Sequence, residues 1–293
     1  MYDSPLAGRT VVVTGAARGL GAALAHAFAE RGARLALLGL ERTELEGVAA
    51  SVPPPVIALE VDITDFHALE RAAVEVRDRL GPPSVVVANA GIAEGGPFAG
   101  ADPESWRRVI DVNLVGSALT ARAFLADLLI TSGYFLQVAS LAAFGTSPMM
   151  SAYCASKAGV EAFARSLQAE VAHESVGVGI AYINWTDTDM TRDADHYPVL
   201  RELRAHMPGP ARKVYPAAVV AERLVRAVEH RRTSVYVPAW LRLAQWGRAV
   251  LPPVVRHVSS RALPCLQEER ALPPTGLLGA GGVADEAWRE RRV

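Results

Sequence analysis

Tyr153 and Lys157 stand four residues apart in a stretch, Ser151–His173, whose apolar spacing is helical. Both side chains therefore fall on one face, about 6 Å apart along the axis. An isolated phenol has a pKa near ~10 and is poorly suited to proton exchange at neutrality. An ammonium beside it favours the phenolate and lowers that value, so the spacing predicts a general acid and base for a substrate oxygen within reach. Y-x-x-x-K alone usually marks a solvated helix surface; composition singles this pair out. The chain has 28 arginines but only two lysines, Lys157 and Lys213. A lysine kept at 157 is not interchangeable with the guanidinium used elsewhere.

A second chemical feature lies near the start, in Thr14-Gly15-Ala16-Ala17-Arg18-Gly19-Leu20-Gly21. Glycines between a strand and a helix allow a tight turn and close backbone approach, and the helix N-terminus offers free amides to a phosphate. The spacing is G-x-x-x-G-x-G, and its place after the first strand gives it weight. Asparagine is as sparing as lysine, with three in all: Asn89, Asn113 and Asn184. Asn89, in Asn89-Ala90-Gly91, could tie a strand end to its neighbour. Asn113 falls mid-helix, where its type is a mediocre former.

These residues need a scaffold, and the pattern supplies one. Short apolar runs at Thr10–Thr14, Arg34–Leu38, Val56–Val61, Val85–Ala88, Tyr134–Ala139, Val176–Ile183 and Ser234–Val237 read as buried strands. Helical spacing fills the intervals: Leu20–Arg31, a polar segment, Asp65–Leu80, Pro103–Ile130 with a break near Gly116, Ser151–His173 and Ala217–His230. The alternation predicts an α/β fold, a doubly wound parallel sheet of Rossmann type with about seven strands and helices on both faces. Ligands of such sheets bind beyond the strand C-termini.

The 293 residues are 51% hydrophobic and can bury a large core without disulfides. Cys154 and Cys265 make no disulfide framework, and no His/Cys cluster has metal-ligand spacing. Residues 1–200 carry a net −9 and 201–293 a net +8. No block of like charge resembles a nucleic-acid footprint. The N-terminus lacks the features of a signal peptide, and residues 128–156, though free of charge, are too interrupted by polar residues for a membrane span. The expected location is cytoplasmic.

Taken together, the T-G-x-x-x-G-x-G loop, Asp62 after the third strand, Asn89-Ala90-Gly91, Asn113, Ser140, Tyr153 and Lys157 resemble the short-chain dehydrogenase/reductase family, in its order and spacing from about Leu6 to Pro238. The resemblance implies hydride transfer between a nicotinamide dinucleotide and a carbonyl or secondary alcohol, with no metal. It implies that Tyr153 exchanges the proton and Ser140 bonds the same oxygen. Lys157 binds the nicotinamide ribose and Asn113 holds a relay water. It further implies that Thr14, Gly15, Arg18, Gly19, Leu20, Gly21, Asn89, Ala90 and Gly91 cradle the coenzyme. Asp62 and Ile63 then meet the adenine and Thr188 the nicotinamide end. A homodimer or homotetramer is expected on the same ground. A coenzyme-binding sensor without turnover, or a dehydratase or epimerase, stays open as an alternative. One departure stands out: Ile183-Asn184 replaces the family's Pro-Gly before Thr188, which puts the loop path in question.

Gly39 occupies the position where an acid would repel a 2′-phosphate, and Arg18 could pair with one. The expectation is NADP(H), with NAD(H) open because Glu41 could reach the ribose. Phe98, Phe144, Met149, Met150 and Trp185 are expected near the rim of an apolar substrate pocket. Residues 1–237 then form the catalytic domain, including an irregular lid at about 189–215. Residues 238–293 form a basic amphipathic extension whose last ~20 residues, rich in Gly and Pro, read as a flexible tail. Residues 230–267 have no acid. Wound as a helix, Trp240–Leu251 puts its apolar residues on one arc, suited to an interface helix, so 238–262 is a candidate for peripheral membrane contact.

Overall fold

The computed structural model describes residues 4–269 and 273–291. Its centre is a sheet of seven parallel strands: β1 Thr10–Thr14, β2 Arg34–Gly39, β3 Val56–Glu60, β4 Pro83–Ala88, β5 Tyr134–Val138, β6 Gly177–Ile183 and β9 Ser234–Val237. Their order is β3-β2-β1-β4-β5-β6-β9. The register runs Ala36↔Val12↔Val86↔Phe135↔Val178 across the middle of the sheet. β1, β4 and β5 are buried along their whole length, as strands covered on both faces must be. The side chains alternate between two cores. Val12, Ala36, Val86 and Phe135 enter one, with α3 Phe66–Leu80, α5 Gly116–Thr131 and α6 Ser151–Glu170. Val11, Val13, Leu35, Leu37 and Leu136 enter the other, with α1 Gly19–Ala29 and α9 Ala217–Glu229.

Local signals set the helix ends that matter. Asp65 caps α3 by accepting from Ala68 N at 3.0 Å, and Asp102 caps α4 Pro103–Ile110, whose first residue is proline. The long helical run expected over 103–130 is continuous, but Asp111–Val115 winds as one π turn before α5. That places the irregularity just before Gly116, at Asn113, as π bulges often do beside functional sites. α2 Arg42–Ala50 follows β2. By length and apolarity the run Pro103–Thr131 could cross a membrane, yet Val109, Val112, Ala121, Phe124 and Leu128 spend that apolarity on the core.

Three expectations change. Residues 189–215 are not simply irregular: α7 Asp189–Ala194 and α8 Pro198–Ala205 form there, with a short parallel pair, β7 Thr186–Asp187 and β8 Tyr215–Pro216, at the base. The Trp240–Leu251 arc splits into α10 Leu241–Trp246 and the start of α11 Leu251–Glu269. Trp240, Ala244 and Leu251 pack on the core, while Leu243 and Trp246 are exposed. The tail is not loose either. Gly279–Glu290 is helix α12, docked on α7. Glycine and proline there shape tight contacts instead of preventing them.

Candidate active site

The strand order turns back between β1 and β4, and the cleft opens beyond the C-terminal ends of those strands. Thr14 Oγ1 accepts from Asn89 N and Ala90 N at 3.0 and 3.1 Å, and Asn89 Nδ2 donates to Thr14 O at 3.0 Å. These bonds pin the two strand ends together. Gly15, at φ +63°, lets the loop pass so close that a Cβ there would stand 2.7 Å from Ala90 Cα, and a Cβ on Gly21 would collide with Gly15 O. Among the described residues, no side chain caps α1. The loop residues Arg18, Gly19, Leu20 and Gly21 line the cleft, so its first-turn amides are left for an anion.

Opposite the loop, β5 ends at Val138 and delivers Ser140, whose Oγ accepts from Ala142 N at 3.2 Å. Helix α6 turns Ala152, Ser156, Val160, Ala164 and Leu167 into the core. On the neighbouring stripe, Tyr153 is partly exposed to the cleft and Lys157 is buried. Lys157 Nζ donates to Val138 O at 3.2 Å and lies 5.6 Å from the centre of the Tyr153 ring. The expected acidification of the phenol is not what this arrangement gives. Burial pushes Tyr153 up to about 12, with the Ser140 hydrogen bond pulling the other way. Burial also brings Lys157 down to about 8. Desolvation penalises whichever form is charged, and it is the largest influence on both groups.

Asn113 sits in the π turn, fully buried. Its Nδ2 donates to Ile92 O and Ser156 Oγ, both at 2.9 Å, and its Oδ1 accepts from Ile92 N at 2.8 Å. The amide thus joins α6 to the loop after β4. Asp62 Oδ1 accepts from Thr64 Oγ1 at 2.7 Å and its Oδ2 from Arg108 Nη2 at 3.2 Å. Ile63 lines the cleft and packs under Gly116.

Thr188 caps α7 and faces Gly19, where a Cβ would come within 3.1 Å of Thr188 Cγ2. The loop therefore reaches the glycine turn without Pro-Gly. Asn184 needs no positive φ; its Nδ2 donates to Ala211 O at 3.0 Å and Lys213 O at 3.2 Å, a tie that glycine cannot make.

At the end of β2 the chemistry differs from expectation. Arg18 is paired here: its Nε and Nη2 meet Glu41 Oε1 at 3.0 and 2.9 Å, with Glu44 and Asp189 each at 3.7 Å. Three carboxylates surround one guanidinium.

Of the residues expected to form the site, all except Thr14 and Asn113 line one cleft of about 320 Å³. The open loop amides fit a dinucleotide, as does Lys157, which among the described residues spends one of its three donors. Of the expected rim residues, Met150 and Trp185 line the cleft. Phe144 instead packs on Tyr182 at 5.2 Å, Phe98 is 71% exposed, and Met149 lies outside the lining. Sequence reasoning missed Arg108, Leu278, Gly281 and Asp285, which do line it. No local motif marks them: α4 carries Arg108 to the cleft, and the folded tail brings Leu278, Gly281 and Asp285.

The family described as short chain dehydrogenase matches residues 9–198. The chain belongs to the short-chain dehydrogenase/reductase family. A short chain dehydrogenase of Pseudocercospora fijiensis is 32% identical over 227 residues, 72% of each chain. An acetoacetyl-CoA reductase of Synechocystis is 34% identical over 196 residues, 65% of this chain and 77% of that one. A short-chain type dehydrogenase/reductase from Mycobacterium marinum superposes with a TM-score of 0.71 at 23% identity, covering 79% of this chain and 94% of that one; this likeness is one of fold. As a family member, the protein is an NAD(P)-dependent oxidoreductase acting on CH–OH groups of small molecules.

Proposed function

We propose that the protein interconverts a carbonyl and a secondary alcohol on a small apolar molecule, with Ser140, Tyr153 and Lys157 as the reacting set. The observation that carries this reading is their convergence with the glycine loop on one cleft. When bound, a nicotinamide dinucleotide supplies or accepts the hydride. Tyr153 holds its proton at neutrality, because burial raises its pKa to about 12, and donates it to the substrate oxygen as charge develops there. Ser140 donates a second bond to that oxygen. Lys157 keeps a positive charge behind the phenol and offers its spare donors to ribose hydroxyls. Asn113 acts by position, through Ile92 and Ser156, and has one acceptor lone pair left for a water. The wall beside Tyr153 is Ala93, Met150, Met190, Ala194 and Leu278, which supports an apolar substrate.

For the coenzyme, the Arg18–Glu41 pair supports NAD(H) over the NADP(H) expected from sequence. A 2′-phosphate at Arg18 would meet Glu41, and two anions beside one guanidinium repel. Titration of NADH and NADPH tests this; tighter NADPH binding overturns it. A panel of ketones graded in size, followed by loss of NADH absorbance, tests the activity itself, and no turnover on any member overturns the reading.

We also propose that α10 and α11 touch an anionic lipid surface. Leu243, Trp246, Val250, Val254 and Val258 are 69%, 79%, 61%, 51% and 42% exposed, and the surrounding sequence is basic without acids. Sedimentation with vesicles rich in phosphatidylserine should be lost in Trp246→Glu. A wild-type chain that never sediments ends the idea, whether it is monomeric or self-associated.

A further inference from the structure

Of residues 273–290, Leu278, Gly281 and Asp285 line the cleft, from the Tyr153 pocket to Asp62. Leu278 N donates to Ala93 O at 2.7 Å and Thr275 N to Gly95 O at 2.8 Å, while Thr275 Oγ1 accepts from Gly95 N at 2.8 Å. Leu277 and Glu94 pair as an antiparallel bridge. The segment is thus stitched to the loop after β4. Its other side is fixed to the lid: Gly279 N donates to Asp193 Oδ2 at 2.8 Å, and Gly279, at φ +74°, lies so close to α7 that a Cβ would stand 2.7 Å from Met190 Cα. Leu278 walls the apolar pocket beside Tyr153. Two turns on, Asp285 is 1% exposed and lines the cleft at Asp62.

The contacts of Asp285 are specific. Arg108 Nη2 and Nε donate to its Oδ1 at 2.7 and 3.0 Å, and Nε also reaches Oδ2 at 2.9 Å. The same guanidinium sends Nη1 to Thr64 Oγ1 at 3.0 Å and only one longer bond, 3.2 Å, to Asp62 Oδ2. Arg108 stands between two carboxylates, and the tail holds it more tightly, while Arg289 Nε also lies 3.3 Å from Asp285 Oδ2. With Asp285 neutralised, Arg108 has one anion left and closes on Asp62, occupying the acceptor atoms that an adenine amino group needs.

We propose that the carboxyl-terminal segment is part of the coenzyme site and that Asp285 is a positioning residue. By holding most of the Arg108 donors, it limits Arg108 to one long bond on Asp62 Oδ2 and leaves that oxygen with acceptor capacity for the adenine half of the dinucleotide. This rests on the reading of the cleft as a dinucleotide site. The inference places the effect at one end of the ligand, so a coenzyme fragment without adenosine should not feel it.

The test uses full-length protein and two probes, NADH (or NADPH, if that binds more tightly) and reduced nicotinamide mononucleotide, titrated by fluorescence. In Asp285→Asn the dinucleotide should bind about tenfold or more weakly, while the mononucleotide changes less than about twofold. Asp285→Glu should recover most of the loss. Unchanged dinucleotide affinity in Asp285→Asn overturns the proposal, as does an equal loss for both probes, which marks a general structural effect. Hydrogen exchange on the wild type keeps the question open to refutation if the variants do not fold. Adding ADP-ribose should protect residues 275–290 and 62–64, and no protection overturns the proposal. A wild type that binds neither dinucleotide refutes the site reading itself, a result distinct from a wild type that binds while Asp285→Asn matches it.

Discussion

Lys157 places its ammonium 5.6 Å from the centre of the Tyr153 ring and donates to Val138 O, making no hydrogen bond to the phenol oxygen among the described residues. A cation near the ring is attracted by its quadrupole but does little to ionise the hydroxyl. Tyr153 therefore rests protonated. Tyr153→Phe should lower turnover by about 10²–10⁴-fold and leave the affinity for the dinucleotide within about threefold. Stopped-flow turnover and fluorescence titration check the two halves; a variant that keeps wild-type turnover removes Tyr153 from the chemistry.

The pH profile should follow the lysine. Lys157 is lowered to about 8 by burial, and Tyr153 stays protonated to about 12. As pH rises through about 8 the ammonium is lost, and with it the positive charge that stabilises a forming anion. Reductive kcat/KM should fall with a single break near pH 8. A plateau reaching pH 10 contradicts this assignment.

The same burial costs stability. Between about 8 and the ordinary 10.5 of lysine the unfolded chain binds the proton that the folded chain has released, so stability rises with pH across that window. Below it, the folded protein bears a buried charge. Lys157→Met should raise stability at pH 7 by about 1–3 kcal/mol, since one pKa unit is worth about 1.4 kcal/mol and a bond to Val138 O is lost. The gain should shrink towards pH 10. A lower Tm at pH 7 counts against the argument.

The sheet and its parallel sense were legible because they rest on local periodicity, and the shared face of Tyr153 and Lys157 because it rests on fixed spacing along one helix, whereas Ser140 was reached only through the family resemblance. Thr14 and Asn89 were legible too, as strand ends with polar side chains. What the sequence could not show was competition among charges. Arg18 has an obvious anion-binding position, and nothing local says that Glu41, 23 residues on, has claimed it. The phenol's pKa likewise depends on how completely the helix is enclosed. Arg108 and Asp285 are 177 residues apart, and the Gly/Pro punctuation that reads as disorder around Pro273 and Gly279 is what lets that segment approach α7 and the β4 loop.

Glu161 joins α6 to the extension. It is 3% exposed, and its Oε1 accepts from Tyr182 Oη at 2.8 Å, Arg165 Nη2 at 2.9 Å, Arg248 Nη1 at 3.0 Å and Gln245 Nε2 at 3.1 Å. Burial pushes its pKa up, but these donors prevail and hold it below the usual value. Glu161→Ala leaves buried donors unpaired and should cost about 3–5 kcal/mol in urea unfolding. A loss below about 1 kcal/mol shows that the network is ornamental.

Asn184 carries the last prediction. Its backbone N donates to Val237 O at 3.0 Å, which continues the β6–β9 ladder, while its side chain spans to Ala211 O and Lys213 O at the far end of the lid. Asn184→Gly, which restores the family's usual residue at this place, keeps the ladder but releases both carbonyls. Each lost bond is worth about 0.5–1.5 kcal/mol, and the loss is local because Ala211 and Lys213 lie at the far end of the lid. Amide exchange at 206–213 should therefore quicken while the sheet stays protected. KM for substrate should rise more than kcat falls, since the lid is loosened and the proton donor is untouched. Asn184→Asp is the sharper comparison, because it sets a carboxylate against two carbonyl oxygens and should loosen the lid further than glycine does. If both variants exchange like the wild type at 206–213, the lid is held by α7 and α12 alone.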